Sequence, residues 1–145
     1  MPDLNLYKKS LERLEDLNQN KIVPGLERIQ KIMKLLGNPQ DKLRVISIGG
    51  TNAKGSTSHN LSKTLMQTGK KIGCFTSPHL HSVRERIKIN NENIKEEEFA
   101  QNLFDLTDLA KRNDLEMTYF EILTALAYKY FLNRRVDFAI MEIGL

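Results

Sequence analysis

Three short apolar runs, separated by segments with helical periodicity, are the feature that most constrains the fold. The runs lie at residues 43–50, 72–76 and 136–145, and valine, isoleucine and phenylalanine are frequent in them. A continuous apolar run of this length is typical of a strand that is buried on both faces of a sheet. Helical segments connect the runs. We therefore predict an α/β fold, with a parallel sheet, flanking helices and right-handed crossovers.

Apolar periodicity and helix-end signals place the helices. Gly37, Asn38 and Pro39 should end one of them, and Thr118 and Glu121 have the spacing of a capping box at the start of another. Few apolar residues occur between residues 77 and 93, so we predict a long loop there, with one short strand near residues 87–89. The predicted helices lie at residues 4–17, 26–36, 56–68, 95–112 and 118–132.

Composition narrows the possible functions. The 145 residues carry a net charge of +4, and acidic and basic residues are mixed along the chain, so the sequence gives no strong case for nucleic-acid binding. The single cysteine, Cys74, lies in the apolar run "KIGCF", which predicts a buried, reduced thiol and a cytoplasmic protein. The N-terminal segment shows neither a signal-peptide core nor a membrane span. We expect no membrane partner.

The stretch "VISIGGTNAKGSTSHN", residues 45–60, runs from a strand through glycines into a helix. It departs from the usual phosphate-loop pattern, because Ile48 and Ala53 stand where glycines are expected and Gly55 separates Lys54 from Ser56. The physical requirements are nevertheless met, since a helix N-terminus supplies unpaired N–H groups and the lysine supplies positive charge. The alternative is a tight turn with an exposed lysine.

Several motifs carry a resemblance to a known family. "GTNAKGST" resembles the ATP loop of the Mur-type ATP-dependent amide ligases, and specifically the "GTNGKGS" form of folylpolyglutamate and dihydrofolate synthases. "TSPHL", "RERIKIN", "TYFEILTALAYKYF" and "VDFAIMEIGL" agree with that family in order and approximate spacing. The pair "TSPHL" and "RERI" separates folate ligases from the relatives that build peptidoglycan. The resemblance covers nearly the whole chain.

The resemblance implies a phosphate-loop nucleotide-binding domain like the Mur ligase central domain. It implies that the sequence is the N-terminal portion of this domain, with residues 1–40 as a helical lead-in and residues 43–145 as the α/β part. A C-terminal glutamate ligase domain, a histidine metal ligand and a modified lysine would then lie beyond Leu145. We expect the complete enzyme to be longer, and this portion to be inactive alone.

The resemblance also assigns roles to residues. Lys54 would be the catalytic residue, and the magnesium ligands would be Ser77 and Glu142. The ATP-binding residues would be Thr51, Asn52, Ala53, Lys54, Gly55 and Ser56. The residues that bind the pterin-bearing substrate would be Lys21, Ile22, Val23, Pro24, Thr118, Tyr119, Phe120 and Glu121.

The implied reaction is ATP-dependent ligation of L-glutamate to a folate or dihydropteroate carboxylate, through an acyl phosphate. ATP and Mg²⁺ would be the cofactors, and the partners would be these small molecules, with no nucleic acid or membrane, in a monomer. One rival is another Mur-type ligase, of cell-wall or storage-polymer synthesis. The others are a non-catalytic nucleotide-binding module and, more distantly, a phosphate-loop kinase or GTPase.

Individual residues keep alternative interpretations. Ala53 is harmless at negative φ but strained at positive φ. Glu142 is either a ligand or a solvated strand end, and Phe120 is either a ring that stacks on the substrate or ordinary core. Arg84 and Arg86 either bind an anion or form a solvated basic segment.

The three histidines give a weak signal. His79 and His81 are too weak a pair for a zinc site, so we expect a structural role in the loop. His59 receives no role.

Overall fold

The structure, a computed structural model, describes residues 4–17 and 21–143. Helices and strands alternate over most of this length, as the apolar runs predict. The helices are α1 (Leu4–Glu15), α2 (Glu27–Leu35), α3 (Pro39–Lys42), α4 (Lys54–Met66), α5 (Glu96–Arg112) and α6 (Tyr119–Asn133). The strands are β1 (Val45–Ile48), β2 (Ile72–Phe75), β3 (Ile87–Ile89), β4 (Glu92–Asn93) and β5 (Phe138–Glu142), and a 3-10 turn covers Val83–Arg86.

The strands form one mixed sheet in the order β1-β5-β2-β3-β4. β5 pairs in parallel with both β1 and β2, which confirms the predicted α/β fold. β3 and β4 are antiparallel, an arrangement that the sequence analysis did not predict. The turn between them consists of Asn90 and Asn91, with φ of 48° and 65°. Two-residue hairpin turns favour asparagine at positive φ, so "NN" was a local signal for this hairpin.

The burial of the three apolar runs differs. β2 is buried throughout and β5 is buried from Ala139 to Glu142, as expected. β1 is only half-buried and Ser47 is exposed, so the prediction of a strand buried on both faces is wrong for β1. β1 is the outermost strand in the described part of the chain, and it therefore has a neighbouring strand on one side only.

The chain divides into two compact units. The helical unit comprises Met1–Pro39 and Lys95–Lys129, within the limits of the described residues. In it α1 packs against α5, where the Tyr7 and Phe99 rings meet edge to face at 6.0 Å between centroids. Arg13 lies over the Phe104 ring and forms an ion pair with Asp108 at 2.8 Å.

The sheet unit comprises Gln40–Ile94 and Tyr130–Leu145, again within the described residues. Helix α4 covers one face of the sheet, where Leu61 and Leu65 pack on Ile72, Cys74 and Ile140. The Cys74 thiol is free and buried, as expected. Burial raises the pKa of Cys74 to about 11, so the thiol stays protonated at neutral pH.

Helix ends follow the local signals in most places. The Thr118 N–H donates to Glu121 Oε2 at 2.9 Å and the Glu121 N–H donates to Thr118 Oγ1 at 3.3 Å, which confirms the predicted capping box. Gly37 and Asn38, at φ of 81° and 53°, end α2 as predicted. Pro39 then begins α3, which was not predicted, because proline at a first helical position starts a helix as readily as it stops one.

Among the described residues, no helix combines the length and the apolar character that crossing a membrane requires.

Gly73 in β2 tests the packing of the sheet unit. A Cβ atom added at Gly73 would lie 2.7 Å from the Phe131 ring. We expect Gly73→Ala to lower the free energy of unfolding by about 1–3 kcal/mol, because the buried ring has to move. Gly55→Ala is the control, since a Cβ there meets nothing within 4 Å. Urea unfolding measures both variants. Equal stability of the two would contradict this account of Gly73.

Candidate functional site

The carboxyl ends of β1, β5 and β2 lie at one edge of the sheet. Ile48 at the end of β1 is in register with Glu142 at the end of β5, and Met141 is in register with Phe75 at the end of β2. The loop after β1, the side chain of Glu142 and the loop that begins with Thr76 therefore emerge at the same edge. In open α/β sheets, ligands bind at this edge.

The predicted phosphate loop, residues 49–53, connects β1 to α4. Helix α4 begins at Lys54, two residues before the predicted start, and Ala53 at its N-cap provides no side-chain hydrogen bond. The first intrahelical bond runs from the Thr57 N–H to the Ala53 carbonyl at 2.9 Å. The three N–H groups before Thr57 thus have no carbonyl one turn earlier in the helix to bond. They form a suitable anion site.

The Lys54 side chain bonds back to the loop. Its Nζ donates to the Gly50 carbonyl at 2.8 Å, across the turn. Gly50 has a φ of 143°, a conformation that side chains disfavour. Thr51, Asn52, Ala53, Gly55 and Ser56 are all exposed, so the backbone and side chains of the loop are accessible to a ligand. The geometry brings the predicted ATP-binding residues together around one helix end.

Ala53 has a left-handed backbone conformation, with φ of 59° and ψ of 17°. Of the two possibilities for this residue, harmless at negative φ and strained at positive φ, the positive φ selects the strained one. An L-residue other than asparagine or aspartate pays about 1–2 kcal/mol in this region. The folded loop therefore tolerates a local strain at the start of α4.

Glu142 and Ser77 face each other at the same edge. Glu142 is 6% exposed, so the alternative of a solvated strand end is wrong. The Ser77 N–H donates to Glu142 Oε2 over a long 3.4 Å. No described lysine, arginine or histidine forms an ion pair with Glu142. A buried carboxylate without a basic partner is costly, and a bound cation would compensate it.

The donor set at this edge suits a hard cation. Mg²⁺ binds through one or two protein oxygens and keeps water and phosphate oxygens as its other ligands, which matches a carboxylate beside a serine. Clusters of three or more histidine, cysteine, aspartate or glutamate side chains do not occur among residues 4–17 and 21–143. The site would hold its ion together with a phosphate-bearing ligand.

A cavity of about 200 Å³ lies beside these groups. His59, Lys88 and Asn91 line it, and the sequence analysis had assigned none of them a role. The remaining lining residues are Gly55, Ser62, Cys74, Thr76, Ser77, Pro78 and Glu142. The cavity thus connects the start of α4 with the predicted magnesium ligands.

The loop after β2 has an internal arrangement that the sequence did not suggest. His79 Nδ1 accepts a hydrogen bond from Arg86 Nε at 2.8 Å. Arg86 is 7% exposed, so it does not belong to a solvated basic segment. Desolvation, and secondarily the charge of Arg86, lower the pKa of His79, which keeps the imidazole neutral at neutral pH.

The predicted substrate residues lie in the helical unit. Thr118 and Tyr119 are buried, at 6% and 4% exposure, while Phe120 is 37% exposed and Ile22 is 89% exposed. Phe120 therefore presents part of its ring to solvent and is not ordinary core. Lys21 lines a cavity of about 730 Å³ in this unit.

Arg28 connects the two predicted substrate segments. Its Nη2 donates to the Val23 carbonyl at 2.7 Å and to Glu121 Oε1 at 2.9 Å, and its Nε donates to Glu121 Oε2 at 3.2 Å. Residues 21–24 and 118–121 are thereby held together through Val23 and Glu121. Sequence reasoning missed Arg28, because a single arginine in the first turn of a helix gives no signal of a partner 93 positions away.

Comparison with known proteins gives a consistent result. No family model matches the chain. The dihydrofolate synthetase of Saccharomyces cerevisiae is 45% identical over 121 residues, which are 83% of this chain and 28% of the yeast protein. The crystal structure of folylpolyglutamate synthase from Thermotoga maritima superposes with a TM-score of 0.88 at 38% identity, over 96% of this chain and 34% of that one.

This chain is homologous to the folylpolyglutamate and dihydrofolate synthases. It spans about a third of the length of the curated relatives that it matches. A further solved homologue, a complex of FPGS with AMPPCP and folate, matches 96% of the chain with a TM-score of 0.87 at 32% identity, and the chain covers 35% of that structure. The fold of the described residues is that of the corresponding part of these synthases.

Ala53 offers a direct test of loop strain. We expect Ala53→Gly to raise the free energy of unfolding by up to about 1 kcal/mol, because glycine adopts positive φ without a steric penalty. Asn60→Gly, at an exposed position within α4, is the control and should lower stability slightly. Thermal unfolding measures the stability of both variants. A loss of stability in both variants would show that the left-handed conformation of Ala53 is not strained.

Proposed function

We propose that this chain is part of an enzyme that ligates L-glutamate to the carboxylate of a folate or dihydropteroate, with ATP as the energy source. The homologues are folylpolyglutamate and dihydrofolate synthases, and one of them has been solved with an ATP analogue and folate. The chain would be the N-terminal portion of the ATP-binding domain. A glutamate ligase domain would complete the protein.

The main support for the proposal is that three strands end at the same edge of the sheet. Because β1, β5 and β2 run parallel, the loop before Lys54, the buried carboxylate of Glu142 and the loop with Ser77 lie at one sheet edge. Phosphoryl transfer needs N–H groups that bind phosphate oxygens, a positive charge and a ligand for a cation, all at one place. This edge supplies all three.

In the proposed reaction, the substrate carboxylate attacks the γ-phosphate of ATP, and ADP leaves. The amine of L-glutamate then attacks the resulting acyl phosphate, releasing phosphate and forming the amide. The N–H groups at the start of α4 would hold the phosphates, with Thr51, Asn52 and Ser56 alongside. Lys54 would exchange its bond to the Gly50 carbonyl for a phosphate oxygen and neutralise developing charge.

Two residues at the sheet edge would bind magnesium in the proposed reaction. Glu142 and Ser77 would hold it, since they provide oxygen ligands and an uncompensated negative charge beside the phosphate loop. When bound, the ion supplies charge neutralisation on the phosphate oxygens. The Ser77 N–H also donates to the Glu142 carboxylate, at 3.4 Å.

The pterin-bearing substrate would contact the helical unit. Ile22 and Phe120 supply exposed apolar surface for a flat ring, and Glu121 supplies a carboxylate that Arg28 holds in place. Lys21, Val23, Pro24, Thr118 and Tyr119 belong to the same two segments. A hydrogen-bonding carboxylate next to one partly exposed ring, that of Phe120, is suited to a heterocycle with amine donors.

The proposal also covers the location, the oligomeric state and the partners of the protein. The protein would be cytoplasmic, which the free, buried Cys74 supports, and it would act as a monomer on small molecules. Nucleic acid would not be a partner.

Lys54→Ala in the full-length protein tests the proposed function. We expect kcat/KM for ATP to fall by about a hundredfold or more, because the principal positive charge of the loop is lost. Lys63→Ala is the matched control, since Lys63 is exposed on the same helix and should leave the rate unchanged. The assay measures folate-dependent release of phosphate in the presence of L-glutamate. Near-normal activity of Lys54→Ala would overturn the assignment of this loop.

The same assay separates the rival functions. Phosphate release that depends on UDP-linked sugar peptides, rather than on a folate or dihydropteroate, would indicate a cell-wall ligase. ATP binding without release under either condition would indicate a non-catalytic nucleotide-binding module.

Glu142→Gln tests the magnesium site by two measurements. In the full-length protein we expect the Mg²⁺ concentration for half-maximal activity to rise about tenfold or more, because the amide removes the negative charge but keeps the shape. In the presence of EDTA the variant should be more stable than the wild type by about 1 kcal/mol, since a buried uncompensated charge is gone. Glu92→Gln, on exposed β4, should change neither quantity. An unchanged magnesium requirement in Glu142→Gln would exclude Glu142 as a ligand.

A further inference from the structure

The loop between β2 and the 3-10 turn, residues 76–82, carries Ser77, and none of its seven residues is buried. Leu80 is 86% exposed and His81 is exposed as well. Such a loop needs specific hydrogen bonds to adopt one conformation. The 3-10 turn that follows it, Val83–Arg86, provides these bonds.

Glu85 binds the backbone of the loop at three consecutive positions. Its Oε2 accepts from the Leu80 N–H at 3.0 Å, and its Oε1 accepts from the His81 and Ser82 N–H groups at 2.9 and 2.7 Å. These bonds, led by the one from Leu80, lower the pKa of Glu85 to about 2. The side chain is therefore ionised at neutral pH, and a charged acceptor strengthens each of the three bonds.

Arg86 holds the middle of the loop. Its buried guanidinium donates from Nε to His79 Nδ1, and its carbonyl accepts from the Thr76 N–H at 3.0 Å. The imidazole has to be neutral at Nδ1 to accept this bond. The Arg86 side chain thus holds the loop two residues after Ser77, and the Arg86 backbone holds it immediately before Ser77.

Ser77 lies between these anchored positions. Its N–H is directed to Glu142 Oε2, so the anchors fix a residue that contacts the buried carboxylate at the sheet edge. Without them, the loop backbone could rotate and withdraw Ser77 from Glu142. The sequence places Glu85 and Arg86 on the turn that follows this loop, but only the folded chain shows that they bond back to it.

We propose that Glu85 and Arg86 are positioning residues of the enzyme, which hold the loop of residues 76–82 so that Ser77 can serve the magnesium and ATP site. Neither residue needs to contact a substrate. The inference rests on the proposed function and deepens it. It gives the second half of "TSPHL", and "RERI", a role in ordering Ser77, which is one of the proposed metal ligands.

Glu85→Gln in the full-length protein is the principal test, with Glu85→Asp as the conservative variant. Glutamine keeps the size of the side chain but loses the charge and replaces one acceptor oxygen by an NH₂ group. The matched control is Glu92→Gln, because Glu92 is exposed on β4 in the same unit. Two properties are measured: hydrogen exchange of the Leu80, His81 and Ser82 amides without ligand, and the dependence of folate-stimulated phosphate release on Mg²⁺ and folate.

In Glu85→Gln we expect exchange of the three amides to accelerate about tenfold or more, since each loses a charged acceptor. The KM for Mg²⁺ should rise about tenfold, while the KM for folate stays within about twofold of the wild type. Glu85→Asp should recover part of both effects, because a carboxylate remains. A general loss of folding would instead raise exchange throughout the sheet unit and lower activity without a selective change in either KM.

Two results would overturn the inference: unchanged exchange of the three amides in Glu85→Gln, or faster exchange with an unchanged KM for Mg²⁺. If Glu85→Gln does not fold, the same two criteria apply to Glu85→Asp, whose shorter side chain we expect to bind the three N–H groups less well. Failure of the proposed function is distinguishable from these results. In that case the wild type itself would show no folate-dependent phosphate release, and the exchange measurement alone would decide whether Glu85 holds the loop.

Discussion

The parallel pairing of β5 with β1 on one side and β2 on the other determines the position of every group in the candidate site of the sheet unit. Parallel strands end at the same edge, so the phosphate loop, Glu142 and Ser77 converge although they are far apart in sequence. The antiparallel strands β3 and β4 extend the sheet beyond β2 and carry the turn that orders the Ser77 loop. Chemistry at this edge therefore depends on the strand order.

Two groups at this edge are arranged at a cost in stability. Ala53 adopts a left-handed conformation, and Glu142 is buried without an ion-pair partner among residues 4–17 and 21–143. Each arrangement is unfavourable for a chain that only has to fold. Under the proposed function each would be useful, because charge and backbone geometry would already be in place for phosphates and a cation. Local strain is common at binding sites for this reason.

Sequence reasoning reached most of the fold, because the signals were local. The apolar runs at β1, β2 and β5, the capping box of Thr118 and Glu121, and the glycine-rich turn before Lys54 all act within a few residues. The missed features have different causes. Helix α3 was not predicted because Pro39 can stop or start a helix, whereas the β3–β4 hairpin had a local signal in Asn90 and Asn91.

The α/β class, the loop that enters α4 and the resemblance to folate ligases could be read from the sequence, since these depend on periodicity and on contiguous motifs. The burial of Glu142, the bonds that join Val23 to Glu121 through Arg28, and the bonds from Glu85 to the Ser77 loop became visible only in the folded chain. The physical reason is that burial and side-chain pairing arise when strands and helices pack. A residue's neighbours in the chain do not specify the partners that packing provides.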